Sequence, residues 1–264
     1  MLQKFIGKMD WKKQFHGTLT FINQVLQYTV VDSKRRMNSH TKDRIVKRLF
    51  DIIFSLVVLI LFSPFGIIIM LILKFTGEGE IFYIQSRSGQ NGEPFGLFKF
   101  VTMVKDSPNI GAGDITLKED PRVLPFGKFL RKTKLNEFPQ FINVFIGEMS
   151  IVGPRPLVKN QYDMIPEDFK QKIKLLKPGI TGIGSIVFRD EERFLEDNNE
   201  DSNEFYKTEI VPFKAILECW YEENASMLID FLLIMITIIM VFFPDSKLHK
   251  YFFSELPQHE IFNP

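Results

Sequence analysis

Arg155 stands between Pro154 and Pro156, so the backbone beneath it has little freedom left to lose and its guanidinium is presented ready-made. Such a fork suits bidentate capture of a phosphate. Glu137 lies just before Phe138-Pro139, a dipeptide that ends or redirects a chain. With Arg131 and Lys134 close by in sequence, its carboxylate can hold a hard cation such as Mg²⁺ through oxygen. Arg87, Lys99 and Arg122 add positive charge near other turns rich in glycine or proline. Each of these alone is an ordinary surface charge. The set is what points to phosphate binding.

The elements that must position them are read from composition and apolar patterning. The chain has 264 residues, 45% of them hydrophobic and 28 of them Phe, enough to bury a core and too apolar for disorder. A formal net charge of +1 excludes a nucleic-acid binder, which needs a clear basic excess. One cysteine, Cys219, allows no intrachain disulfide and no four-cysteine zinc site, which leaves the cytosolic side of a membrane as the natural compartment. The charge is also uneven. Residues 1–48 hold 11 Lys/Arg and 3 Asp/Glu, whereas residues 190–223 hold 12 Asp/Glu and 3 Lys/Arg.

The basic end precedes the most apolar stretch, Leu49 to Leu73, in which Asp51 is the only charge. As one helix it would reach about 37 Å, enough for a hydrocarbon core of about 30 Å. Two features favour a helix that enters and leaves by one leaflet over a kinked spanning helix. Lys47 and Arg48 flank one end and Lys74 the other, so the positive-inside tendency draws both ends to the same side. Pro64 interrupts the run, removing a backbone donor, and Ser63 before it can hydrogen-bond the freed backbone. A second apolar run, Met227 to Phe243, reads as a helix lying against the membrane or the domain. Phe5, Ile6, Met9, Phe15, Leu19, Phe21, Ile22, Val25 and Leu26 give the basic leader an amphipathic pattern, with a loosely ordered leader as the equal alternative.

Between the two runs, strand-like pieces at Ile81–Ile84 and Phe95–Phe100 precede helical stretches around Phe126–Thr133 and Pro139–Ile146. Gly/Pro turns follow at Val152–Pro156 and Lys177–Gly182. The layout is an α+β domain of short pieces held on a membrane helix.

Taken in order, these residues resemble the bacterial sugar transferases, the monotopic phosphoglycosyl transferases. The resemblance runs from Lys47-Arg48-Leu49-Phe50-Asp51 through Ser63-Pro64, Gln85-x-Arg87-x-Gly89, Lys99-Phe100-x-Thr102-Met103 and Asp120-x-Arg122. It continues through Leu130-Arg131-Lys132, Leu135-Asn136-Glu137-Phe138-Pro139-Gln140 and Asn143-Val144 to the highly specific Gly147-Glu148-Met149-Ser150-Ile151-Val152-Gly153-Pro154-Arg155-Pro156, then Pro178–Gly182. It covers about residues 45–240.

That resemblance implies transfer of a sugar-1-phosphate from a UDP-sugar to polyprenyl (undecaprenyl) phosphate, starting a lipid-linked glycan such as an exopolysaccharide, capsule, O-antigen or glycoprotein glycan. It implies a site at the cytoplasmic face of a bacterial inner membrane, Mg²⁺ as cofactor, membrane lipid as partner, and a re-entrant helix bent at Ser63-Pro64. The chain then divides into a basic leader (1–44), the re-entrant helix (45–75), a cytoplasmic catalytic domain (76–226), an apolar membrane-associated helix (227–243) and a tail (244–264). The sequence leaves open the sugar and whether an oligomer forms.

The family uses an Asp-Glu dyad, in which the Asp attacks the phosphate next to the sugar and the Glu binds the metal. Here Asn136 stands at the Asp position, with Glu137 beside it as catalytic partner and metal ligand, and an amide is a far poorer nucleophile than a carboxylate. Three readings follow. A neighbouring carboxylate takes over, Glu137 first and Asp120 or Asp114 after it; the lipid phosphate attacks directly; or the chain is a degenerate member acting as a membrane scaffold. The retained set of Arg131, Glu137, Glu148 and Arg155 favours an active enzyme. Val101, after Lys99-Phe100, is a milder departure, where the family often has a basic residue.

Overall fold

A computed structural model describes residues 40–105, 107–109, 120–189, 191, 202–243, 246, 248–253 and 255–259. The leader pattern from Phe5 to Leu26 lies outside these residues, as does Asp114.

Helix α1, His40–Thr76, is the one described helix long and apolar enough to cross a membrane. The helix is continuous through Pro64. The reason is local. Pro64 cannot donate to the carbonyl of Ile60, and the Ser63 hydroxyl donates to that same carbonyl at 2.8 Å.

Asp51, Ser55, Gly66, Ile69 and Leu73 are buried along α1 at spacings that keep them on one stripe. The stripe packs lengthwise on the rest of the chain: Phe54 meets Phe141, Phe62 meets Phe138, and Ile69 and Leu73 join Phe100 and Leu130 in a buried cluster. The opposite side is apolar and bare, including Leu49, Ile53, Ile60, Leu61, Ile68 and Phe75. A helix in water would not leave so much apolar surface uncovered.

After α1, strands β1 (Phe82–Ser88) and β2 (Pro94–Phe100) form an antiparallel hairpin whose register runs from Phe82↔Phe100 to Ser88↔Pro94. Helix α2 (Pro125–Lys132) opens on a proline at its first position, where no donor is needed. Helix α3 (Gln140–Ile146) ends at Gly147, which takes φ 98°, a conformation that suits glycine. Strand β3 (Ser150–Val152) follows, then helices α4 (Lys159–Asp163) and α5 (Glu167–Ile173), and strand β4 (Gly179–Thr181), parallel to β3.

Helix α6 (Ile183–Val187), the short α7 (Ser202–Phe205) with a wide turn over Tyr206–Ile210, and α8 (Val211–Asn224) complete the domain. Helix α9 (Met227–Phe242) and α10 (Leu248–Phe252) close the chain. α9 buries Ile229, Leu233, Ile236 and Met240 in the main core while Phe231, Met235, Ile238 and Phe242 stay exposed. It thus lies against the domain with a second apolar face outward, continuing the character of α1. The architecture is α+β, as the sequence implies.

Two contacts tie α1 to β3. Lys47 on α1 donates to the Val152 carbonyl at 3.1 Å and pairs with Asp230 of α9 at 2.5 Å, and Tyr221 of α8 donates to the other oxygen of Asp230 at 2.5 Å. One turn on, Asp51 accepts from the Ile151 amide at 3.0 Å. Arg48 donates to the Val144 and Phe145 carbonyls at 2.6 and 2.7 Å, capping the end of α3 with positive charge.

Candidate active site

The turns at Val152–Pro156 and Lys177–Gly182 meet back to back. A Cβ on Gly153 would overlap the carbonyl of Lys177, and one on Gly179 would overlap the backbone of Gly153. Glycine at both places lets the backbones close up, with Gly153 N donating to Thr181 O at 2.9 Å and Gly179 N to Pro154 O at 2.7 Å. The result is a fixed ledge from which Arg155 projects.

Opposite the ledge, Lys134 takes φ 59°, a left-handed conformation that costs a lysine about 1 kcal/mol. It turns the chain sharply after α2 into the short turn Leu135–Glu137, which carries Asn136 and Glu137. Asn143 of α3, fully buried, fixes this segment against the hairpin: its amide nitrogen donates to Gly96 O and its oxygen accepts from Phe98 N. The same amide nitrogen donates to Glu148 at 2.7 Å, so Glu148 braces α3.

Between ledge, turn and hairpin lies a narrow cleft lined by Arg87, Lys99, Glu137, Gln140, Arg155 and Gly179 among others. Burial alone would raise the Glu137 carboxyl; Arg155, Lys99, Lys134 and a hydrogen bond from Gln140 outweigh it and hold the group below its ordinary value. Glu137 is therefore ionised at neutral pH. Burial pushes the Lys99 ammonium down to about 8, opposed by Glu137 and reinforced by Arg87, Arg155 and Arg131. One carboxylate among this many cations leaves an excess of positive charge in a partly closed space, which is the electrostatics of an anion site.

The structure brings together Arg87, Lys99, Glu137 and Arg155. Arg131 lies just behind them. Its Nε donates to Thr102 at 2.9 Å, and it feels both Asp120 and Glu137. Arg122 does not line the cleft: it is buried in an ion pair with Asp120 at 2.6 Å and donates to the Ser107 carbonyl at 2.7 Å. That pairing also binds Asp120. Asn136 sits beside Glu137 with its Oδ1 buried and without a hydrogen-bond partner.

Gln140 and Asn143 carry no charge that marks them as site residues in the sequence, yet Gln140 hydrogen-bonds Glu137 and Asn143 sets the spacing of the two walls. Their presence inside the matching motifs was the available signal.

A sequence model described as bacterial sugar transferase matches residues 42–244. The exopolysaccharide production protein ExoY of Sinorhizobium fredii is 32% identical over 211 residues, 74% of this chain and 84% of that protein. The UDP-glucose:undecaprenyl-phosphate glucose-1-phosphate transferase of Klebsiella pneumoniae is 42% identical over 148 residues, 54% of this chain and 31% of the other. The undecaprenyl-phosphate galactose phosphotransferase of Salmonella typhimurium is 32% identical over 218 residues, 77% of this chain and 42% of that protein. The chain thus spans most of ExoY and less than half of the two transferases.

Proposed function

The chain belongs to the bacterial sugar transferase family, and from that premise we propose that it transfers a sugar-1-phosphate from a UDP-sugar to polyprenyl phosphate. The observation that carries this reading is the cationic cleft around Glu137, built against a helix whose far side is bare and apolar. A soluble anionic donor and a lipid-tailed acceptor need such a junction. The relatives' names supply the matching chemistry, undecaprenyl phosphate as acceptor and, in one, UDP-glucose as donor.

In this reading Arg155 and Arg87 grip the donor diphosphate as forks, and Lys99 neutralises it as a point charge. An oxygen of the polyprenyl phosphate attacks the phosphorus that carries the sugar. The bond from that phosphorus to the bridging oxygen breaks, and UMP leaves with the electron pair. Asn136 orients the phosphate undergoing attack. Asp120 is committed to Arg122, which speaks against it as a substitute nucleophile.

The donor set fits Mg²⁺: Glu137 offers an ionised carboxylate, and Asn136 Oδ1 is a buried oxygen acceptor without a partner. Mg²⁺ takes one or two protein oxygens and completes its shell from substrate phosphates and water. When bound it would neutralise charge on the diphosphate.

Lys47 and Leu73, near the two ends of the apolar run, both pack on the same domain, which supports a helix held in one leaflet; the basic residues Lys47, Arg48 and Lys74 that flank the run favour the cytoplasmic face for that domain. The test of the direct route is intact-protein mass after incubation with a UDP-sugar and Mg²⁺ but no lipid phosphate. Lipid-dependent turnover with no adduct is expected. A protein heavier by one sugar phosphate would overturn direct attack.

A further inference from the structure

Residues 83, 85 and 87 alternate onto one face of β1, and the register Tyr83↔Lys99, Gln85↔Leu97, Arg87↔Phe95 puts residues 95, 97 and 99 on the same face of β2. Gln85 and Lys99 are diagonal neighbours on that face, within reach of long side chains. One atom fills the space between the cations. Gln85 Oε1 accepts from Arg87 Nη2 at 2.7 Å and from Lys99 Nζ at 3.2 Å.

Both cations line the cleft beside Glu137 and Arg155. Among the described residues, Gln85 is the hydrogen-bond acceptor that the structure gives Lys99. An ammonium on a flexible four-carbon stem is otherwise poorly aimed. The acceptor is also neutral. A carboxylate at position 85 would aim the two cations equally well, but would cancel charge that an anionic ligand needs.

We propose that Gln85 is a positioning residue that holds Lys99 and Arg87 in one register, so that the two cations meet a nucleoside diphosphate as a pair. This rests on the reading of the cleft as a nucleotide-diphosphate-sugar site. Gln85 touches neither substrate nor reacting atoms; it acts through the two cations.

The test is calorimetric titration of UDP into the full chain in lipid nanodiscs, for the unmodified protein, Gln85→Met, Lys99→Met and the double variant. Gln85→Met keeps length and apolar stem and removes the acceptor. It should weaken UDP binding about tenfold, the scale of one charge-assisted hydrogen bond. In the Lys99→Met background the same change should cost about threefold or less, because one of the two groups it aims is gone. With a UDP-sugar that is turned over, Gln85→Met should raise the donor KM by the same factor and leave kcat within about threefold, a split that a loosened hairpin would not give.

Gln85→Glu preserves the shape and both hydrogen bonds, and so serves should Gln85→Met fail to fold; by cancelling one of the pair's two positive charges it should weaken UDP at least as much. Unchanged UDP affinity in the folded variant, or equal losses in both backgrounds, overturns the positioning role. Unmodified protein that binds no UDP overturns the reading of the cleft, and the proposal with it.

Discussion

Lys47 meets Asp230 at 2.5 Å beneath the Val152 carbonyl, and Tyr221 occupies the second carboxylate oxygen. Three residues past Val152, Arg155 enters a cleft where it, Arg87 and Lys99 surround the single carboxylate of Glu137. The first cluster is closed: charges balance, and the carboxylate has a partner on each oxygen. The second is open, with an excess of cations and an orphaned amide oxygen on Asn136. Burying charge is costly unless it is paired, so the closed cluster reads as a joint between α1 and the domain. The open one reads as a site whose missing anion comes from substrate.

The sharpest way to break this contrast is to neutralise Glu137. Glu137→Gln replaces a charged oxygen ligand by an amide and should lower Mg²⁺-dependent turnover by about 10³-fold. UDP affinity measured without metal should rise in the same variant, because a negative charge has left a cationic cleft.

The closed cluster should answer in stability instead. Lys47→Met strands Asp230, which is 2% exposed, and should destabilise the chain by about 3 kcal/mol, read as loss of thermal stability in nanodiscs. Asp230→Asn should cost less, since the Lys47 side chain retains 27% exposure and can reach solvent. If both changes left the melting temperature untouched and abolished donor binding, the division of labour drawn here would be reversed.

Arg155→Lys keeps the charge and loses the planar fork, so donor affinity should fall about tenfold with the fold intact. A smaller effect concerns pH. Lys99 is protonated below about 8 and loses its proton as pH rises through that value, so donor affinity should decline over that range. Lys99→Arg, which stays charged, should move the decline to higher pH; an unchanged profile would remove Lys99 from the anion site.

Much of the open cluster was legible in the sequence because local chemistry announces it. Prolines fix Arg155, and Glu137 sits at a redirected turn. The hairpin and the helices α2 and α3 also follow from short apolar runs bounded by glycine, asparagine and proline. The closed cluster was not legible, since Lys47 and Asp230 lie 183 residues apart and nothing local pairs them. Arg122 shows a different failure. Its type and turn suited phosphate, but burial beside Asp120 is a tertiary fact, and an ion pair two residues long looks the same in sequence whether wet or dry. At Pro64 the hydrogen bond from Ser63 to the freed backbone was foreseeable from the dipeptide alone.

The most direct measurement of the central claim is UMP release from a panel of UDP-sugars by the full chain in membranes, with and without polyprenyl phosphate and Mg²⁺. Release from at least one sugar nucleotide that requires both the lipid phosphate and the metal is expected. Absence of lipid-dependent release with every sugar, from protein that still folds and binds UDP, would contradict it and leave the scaffold reading standing.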